Sequence, residues 1–359
     1  MKIILLILLP LTILMSTINS KLFLEGNNSK NIQEEKIIND FKKLVEQKSI
    51  PLNKVQDKEI LIYMIYPGSQ ISDYWRRSKI SFEKRLKELN IKYKLVDYFF
   101  DSSKNKREDI YLYNALQDST DYIIFTLDAK KHIKFIETIL SKDKPKLILQ
   151  NITKPIKGLA KQPLIYDGFD HNIGSVILAK EYLKRVGGSG KYGILYGTVG
   201  YVSTQRGDSF KEYINENSNL KLADSYYTGF NKAKAKETTK DLLDNHKDIN
   251  FIYACSTDIA LGAVEVLEER GLIGKVLVNG WGGGSAELKS IQERKLNFTV
   301  MRINDDNGVA MAEAIKLDIS NNSNKIPQVY SGDFKLITQE TDKFQLLKIK
   351  EKAFRYSGL

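Results

Sequence analysis

The sequence predicts an α/β protein built as two doubly wound, Rossmann-like lobes. Short apolar runs alternate with helix-length amphipathic stretches along most of the 359 residues, the pattern of parallel strands covered by helices on both faces. About ten such units are too many for one ordinary sheet, which divides them between two lobes. After most runs the chain turns polar or glycine-rich, as it does at the carboxyl edge of doubly wound sheets, where ligands sit.

The chain begins with basic Met1-Lys2. Ile3 to Met15 follows, apolar except for Pro10 and Thr12, and Ser16 to Ser20 is mostly small and polar. That order describes a secretory signal peptide over residues 1–20, cleaved near Ser20-Lys21. The apolar run is shorter than the roughly 20 residues of a membrane span. The single cysteine, Cys255, lies far from the cleavage point, so no lipid anchor and no internal disulfide are expected. A soluble periplasmic protein held together by its cores fits these features.

Residues 21–55 form a lead-in. Phe41, Leu44 and Val45 at helical spacing predict a helix laid over the main body. The strand-like runs are then Ile60–Tyr66, Tyr93–Tyr98, Tyr122–Phe125, Leu147–Leu149, Leu164–Tyr166, Tyr192–Tyr196, Phe251–Ala254, Val276–Val278 and Phe298–Met301. The helix-like stretches are Trp75–Leu89, Ile173–Val186, Thr204–Ile214, Asp258–Arg270 and Asn307–Ile319.

Net charge is +11, with lysines scattered as in Lys42-Lys43, Lys130-Lys131 and Lys232 to Lys236. Scattered lysines read as solvated helix faces, which argues against nucleic acid as a partner. A basic surface still favours an anionic ligand or partner.

The residues just past the strand ends carry the chemistry. They are Gln70, Ser72, Asp73 and Trp75; Asn151; Arg206; Ser256, Thr257 and Asp258; Trp281; and Arg302. Trp75 and Trp281 are the only tryptophans, and both fall in the expected crevice. An indole face suits the C–H face of a sugar-like ring, and its N–H can donate to an oxygen. Arg206 and Arg302 lie near helix starts, where the helix dipole opposes a cation. Two arginines there suit a negatively charged ligand; salt bridges to Asp208 or Asp305 are the alternative. One of Ser256, Thr257 and Asp258 is expected to cap a helix. Gly282 to Gly284 read as a turn into a helix over Ser285–Glu293, since no phosphate-loop pattern surrounds them.

Catalysis finds little support. His132, His171 and His246 are isolated, metal-ligand spacing is missing, and Cys255 has no evident histidine partner. Gly187 to Gly190 precedes a strand, the wrong context for a nucleophile elbow. The abundant carboxylates leave an acid/base pair, and so an exported sugar-acting enzyme, as an open alternative. A transcription regulator would carry a helix-turn-helix before the first strand, and none is evident.

The strings Tyr66-Pro67-Gly68 with Gln70 to Trp75, Leu147 to Thr153, Phe251 to Ala263, Asn279 to Leu288, Val300 to Arg302 with Asn304 to Asp306, and Tyr330 to Phe334 carry a resemblance. From about residue 56 onward the chain resembles the type I periplasmic sugar-binding proteins, and more closely the LuxP-like autoinducer-2 receptors. The resemblance implies a three-crossing hinge, with an N-terminal lobe of 56–168 plus 303–329 and a C-terminal lobe of 169–302 plus 330–359. It implies a furanosyl borate diester as ligand. Gln70, Ser72, Trp75 and Asn151 would contact it from the first lobe, and Ser256, Thr257, Asp258 and Trp281 from the second. Arg206 and Arg302 would offset the borate charge. No metal site or cofactor is implied, boron entering only within the ligand. The implied partner is the periplasmic domain of a membrane sensor histidine kinase that reads quorum state by two-component signalling. The alternative is an ABC permease receiving a pentose-like sugar or autoinducer-2.

Overall fold

Two six-stranded sheets account for the alternation in the sequence. The computed structural model describes residues 32–53, 56–68, 70–100, 108–126 and 131–359. The expected signal peptide lies outside the described residues.

The first lobe begins with α1 (Ile32–Glu46), β1 (Ile60–Pro67), α2 (Tyr74–Glu88), β2 (Tyr93–Phe100), α3 (Glu108–Gln117), β3 (Tyr122–Phe125), α4 (Lys131–Leu140), β4 (Lys146–Gln150) and β5 (Ile165–Gly168). The second lobe continues with α5 (His171–Val186), β6 (Lys191–Tyr196), α6 (Tyr201–Asn217), β7 (Lys221–Tyr227), α7 (Lys232–Asn245) and β8 (Phe251–Ala254). It goes on through α8 (Thr257–Glu269), β9 (Leu277–Gly282), α9 (Ser285–Gln292) and β10 (Phe298–Arg302). The chain then returns to the first lobe for α10 (Asp305–Ile319) and β11 (Val329–Ser331), and to the second for β12 (Phe334–Thr338) and α11 (Lys343–Ala353).

The strand orders are β11-β5-β4-β3-β1-β2 and β12-β10-β9-β8-β6-β7. Pairing is parallel in both sheets except for antiparallel β10–β12. Three crossings join the lobes, after Gly168, after Arg302 and after Ser331. β11 pairs with β5, so the third crossing follows Ser331 rather than residue 329.

Burial explains why the central strands were legible. Along β1, Ile62, Met64 and Tyr66 enter one core cluster while Tyr63 and Ile65 enter another on the opposite face, as the two-residue period of a strand requires. A strand covered on both faces must be apolar throughout. The edge strand β7 is largely exposed, so it lacks the continuous apolar run that marks the others.

The lead-in helix α1 buries Phe41 and Val45 against the first lobe. On α7, Lys232, Lys236 and Lys240 pair with Glu265 and Glu269 of α8, the solvated role expected of the lysines. One expectation needs correction. The end of the chain does not stay with the second lobe, because the backbone N–H groups of Tyr356 and Ser357 donate to Asp305 of α10 at 2.7 and 2.8 Å. Arg77 of α2 adds a bond to the Gly358 carbonyl at 2.6 Å. These bonds satisfy buried charges of the first lobe, which draws the tail across.

Candidate functional site

The carboxyl ends of the two sheets face each other, and the lobes are closed across the gap. Ile71 and Ser72 N–H groups of the first lobe donate to Asp258 at 2.9 and 3.3 Å. In the opposite sense, Ser285 of the second lobe donates to Asp73 through its N–H at 3.2 Å and its hydroxyl at 2.9 Å. Arg77 holds the same Asp73 carboxylate at 2.7 Å. Burial pushes Asp73 up, but Arg77 and Ser285 more than offset it and hold its pKa below the ordinary value. For Asp258 burial prevails over the two N–H donors, and its pKa is raised. Ser256 is the helix cap expected among the three polar residues, its hydroxyl oxygen accepting from Ile259 N–H. Thr257 is buried beside it.

Inside the closure lies an aromatic and cationic floor. Trp75 packs on Tyr66 and Tyr74, each with ring centroids 4.7 Å away, and its Nε1 donates to Gln70 at 3.2 Å. Trp281 is buried edge-on to Phe334 at 5.5 Å. Its Nε1 faces the Tyr253 hydroxyl without reaching hydrogen-bond geometry. The Arg206 guanidinium lies 3.7 Å over the Trp281 ring, and that of Arg302 lies 4.3 Å from the Tyr74 ring centroid and 5.0 Å from that of Trp281.

The salt-bridge alternative for the arginines is not what the structure holds. Asp208 accepts from the Tyr196 hydroxyl at 2.8 Å, and Asp305 takes the tail N–H groups already described. Arg206 is 3% exposed and Arg302 4% exposed, yet neither has a carboxylate partner among the described residues. Arg302 Nε is buried without an acceptor. The acids nearest in effect to Arg302, Glu287 and Asp73, are engaged elsewhere; Glu287 accepts from the N–H groups of Trp281 and Gly283 at 2.9 and 2.8 Å. Burial depresses both guanidinium pKa values, and for Arg206 the charge of Arg302 adds to it. Two uncompensated buried cations are unfavourable unless an anion joins them.

Asn151 completes the floor from the first lobe. Its φ of 63° is left-handed, which asparagine tolerates better than most residues. Its side-chain oxygen is buried without a partner. Ser72 enters through its N–H bond to Asp258. The structure thus brings Trp75, Gln70, Asn151, Arg206, Trp281 and Arg302 around one cleft. Among the described residues no cluster of acids, histidines and cysteine is arranged to hold a metal ion.

Sequence reasoning missed Tyr74, Phe169, His171 and Tyr201. Tyr74 and Phe169 flank Arg302, and His171 lies 5.5 Å from Trp281 and 5.7 Å from Tyr201. The signal was present: Phe169 and His171 directly follow the end of β5, another strand end of the same kind.

A family model for a periplasmic binding protein domain matches residues 62–321. The chain belongs to this family. The ribose import binding protein of Bacillus subtilis is 25% identical over 264 residues, 73% of this chain and 82% of that protein. The ribose import binding protein of Escherichia coli is 26% identical over 172 residues, 48% of this chain and 57% of its own length. The galactofuranose-binding protein of the same species is 31% identical over 112 residues, 30% of this chain and 35% of that protein. Among solved structures, a solute binding protein from Actinobacillus succinogenes with bound D-allose superposes with a TM-score of 0.67 at 22% identity, over 79% of this chain and 98% of that one. The XylFII-LytSN complex gives 0.67 at 18% identity, over 79% of this chain and 98% of that one. These likenesses support the two-lobed fold. As a periplasmic binding protein the chain binds its ligand and does not transform it. Among the described residues no helix is long and apolar enough to cross a membrane.

Proposed function

We propose that this periplasmic binding protein closes its lobes on a small cyclic polyol, and that Arg206 and Arg302 select a negatively charged form of it. One observation carries the reading: two buried guanidiniums stand over aromatic faces in the cleft with no carboxylate partner among the described residues. The names of the relatives support a sugar-sized ligand and delivery to an ABC importer. The unpaired arginines narrow it to an anionic adduct such as the furanosyl borate diester of autoinducer-2. In this reading Trp75 and Trp281 present their faces to the ring, and Gln70, Asn151, Ser256 and Thr257 offer hydrogen bonds to hydroxyls. The Asp258 carboxylate serves mainly to hold the lobes shut.

The mechanism follows from the electrostatics. Without ligand, closure buries two cations without compensation. An anion bound between the lobes relieves that penalty only in the closed form, so binding shifts the population towards closure. A membrane partner then reads the closed shape. Delivery to a permease follows from the ribose import relatives. A sensor kinase is the second reading, favoured by the resemblance to autoinducer-2 receptors and by a neighbour of this fold found in complex with a partner. Export by residues 1–20 belongs to the same proposal and is checked by sequencing the mature amino terminus.

Tryptophan fluorescence tests the ligand, because both indoles lie in the cleft. The purified protein is titrated with autoinducer-2 precursor, with and without borate, and with ribose. A saturable response strengthened by borate is expected. A response to ribose alone, indifferent to borate, would replace the anionic ligand with a neutral imported sugar.

A further inference from the structure

His171 opens α5 just after the first crossing between the lobes, and it is 1% exposed. Each ring nitrogen has one partner. Nδ1 lies 3.3 Å from Arg206 Nε; that atom can only donate, so Nδ1 accepts. Nε2 lies 3.1 Å from the Asn151 carbonyl oxygen; that atom can only accept, so Nε2 carries the proton. Both contacts demand the same neutral tautomer. Burial, and then the charges of Arg206 and Arg302, hold the histidine pKa well below its ordinary value, so the ring stays neutral.

The other restraints on Arg206 are also neutral. Its Nη1 donates to the Cys255 carbonyl at 2.8 Å, and its plane rests on Trp281. A carboxylate in place of His171 would orient the guanidinium equally well but cancel its charge. An imidazole acceptor orients it and leaves the charge for something else. The same ring supports Asn151 of the first lobe, so ligand-facing groups of both lobes share one prop beside the hinge.

We infer that His171 is a positioning residue that aims Arg206 into the cleft without neutralising it, and so sets the preference for anionic over neutral ligands. The inference rests on the anionic-ligand reading above, and the experiment separates the two. Affinities for the borated autoinducer-2 adduct and for ribose are measured by tryptophan fluorescence in the wild type, His171→Asn, His171→Leu and His171→Glu, with thermal melting to verify folding. The Asn amide oxygen falls near the position of Nδ1 and keeps the acceptor for Arg206.

His171→Asn is expected to keep the anion preference within about threefold, while His171→Leu lowers anion affinity by at least about tenfold with little change for ribose, the range for losing a charge-assisted bond. His171→Glu is expected to abolish the preference while ribose binding persists. If His171→Leu fails to fold, the Asn and Glu variants decide. Equal losses for both ligands would make the residue merely structural and overturn the inference. A wild-type preference that survives both Leu and Glu would overturn it alone, whereas a wild type with no anion preference would overturn the reading of the cleft and this inference with it.

Discussion

Asp258 of the second lobe accepts from the backbone N–H of Ile71 in the first lobe at 2.9 Å, and this bond has a mirror image. Asp73 of the first lobe accepts from Ser285 of the second. Each lobe lends one aspartate to the other, so the mouth of the cleft is latched at two points by protein groups alone. Hydrogen bonds to a charged acceptor are worth about 1.5–3 kcal/mol. Asp258→Ala should therefore disfavour the closed form by a comparable amount and weaken ligand binding by roughly 10- to 100-fold. Small-angle scattering of the ligand-free variant should show a larger radius of gyration. A profile identical to the wild type would mean that the latch does not hold closure.

The two aspartates respond to acid in opposite senses. Asp73 has a depressed pKa, so its contribution is present above its ordinary pKa of 3.8 and is lost as pH falls through the lowered value. Asp258 has a raised pKa, so its share is complete below 3.8 and is lost as pH rises through the raised value. Acidification below pH 3.8, where the share of Asp258 no longer changes, should thus release the Asp73 side of the latch. Ligand affinity measured over that range is expected to fall in the wild type, and Asp73→Asn should flatten the fall. An equally steep profile in Asp73→Asn would assign the effect to another group.

The latch shows where sequence reading stops. Asp73 and Asp258 both stand at helix starts, where aspartate is a good cap, and nothing local reveals that each reaches across to the other lobe. The arginines and tryptophans were legible because strand ends in a doubly wound sheet point to one edge whatever the tertiary detail. That their charges lack partners was not legible, since Asp208 and Asp305 stand close by in sequence and only their own hydrogen bonds show them engaged. His171 looked isolated because its partners Asn151 and Arg206 are 20 and 35 residues away. β7 was hidden for a different reason, being an edge strand with little to bury.

The uncompensated arginines predict opposite effects on binding and on stability. Arg206→Met or Arg302→Met should each weaken an anionic ligand by about 1.5–3 kcal/mol, with a smaller loss for ribose. The same changes remove an unpaired buried charge. Replacing buried ionic groups with apolar ones of similar size often stabilises by roughly 1–4 kcal/mol, so the ligand-free variants should melt above the wild type. Loss of binding with a lowered melting temperature would mean that the arginines hold the cleft together rather than wait for a ligand.

The helix pair α2–α10 allows stability and binding to be separated. At one end, a Cβ on Gly308 of α10 would run into the Ser81 hydroxyl and the Ser78 carbonyl of α2. At the other, Arg85 and Glu313 form an ion pair at 2.6 Å with both side chains 1% exposed. Gly308→Ala should force the helices apart at a cost of about 1–3 kcal/mol, the range for overpacking. Because Tyr74 and Trp75 begin α2 and Tyr74 faces Arg302, that displacement reaches the cleft and should weaken binding as well. Arg85→Met leaves the buried Glu313 with only the looser Lys316 contact at 3.7 Å and should destabilise by up to about 3–5 kcal/mol, yet Arg85 lies about three turns further along α2 from Trp75 and affinity should hold. Urea denaturation and ligand titration of the two variants check this. If the Arg85 variant loses affinity as well, the first lobe transmits packing changes along the whole length of α2, and the cleft is less independent of its scaffold than the geometry implies.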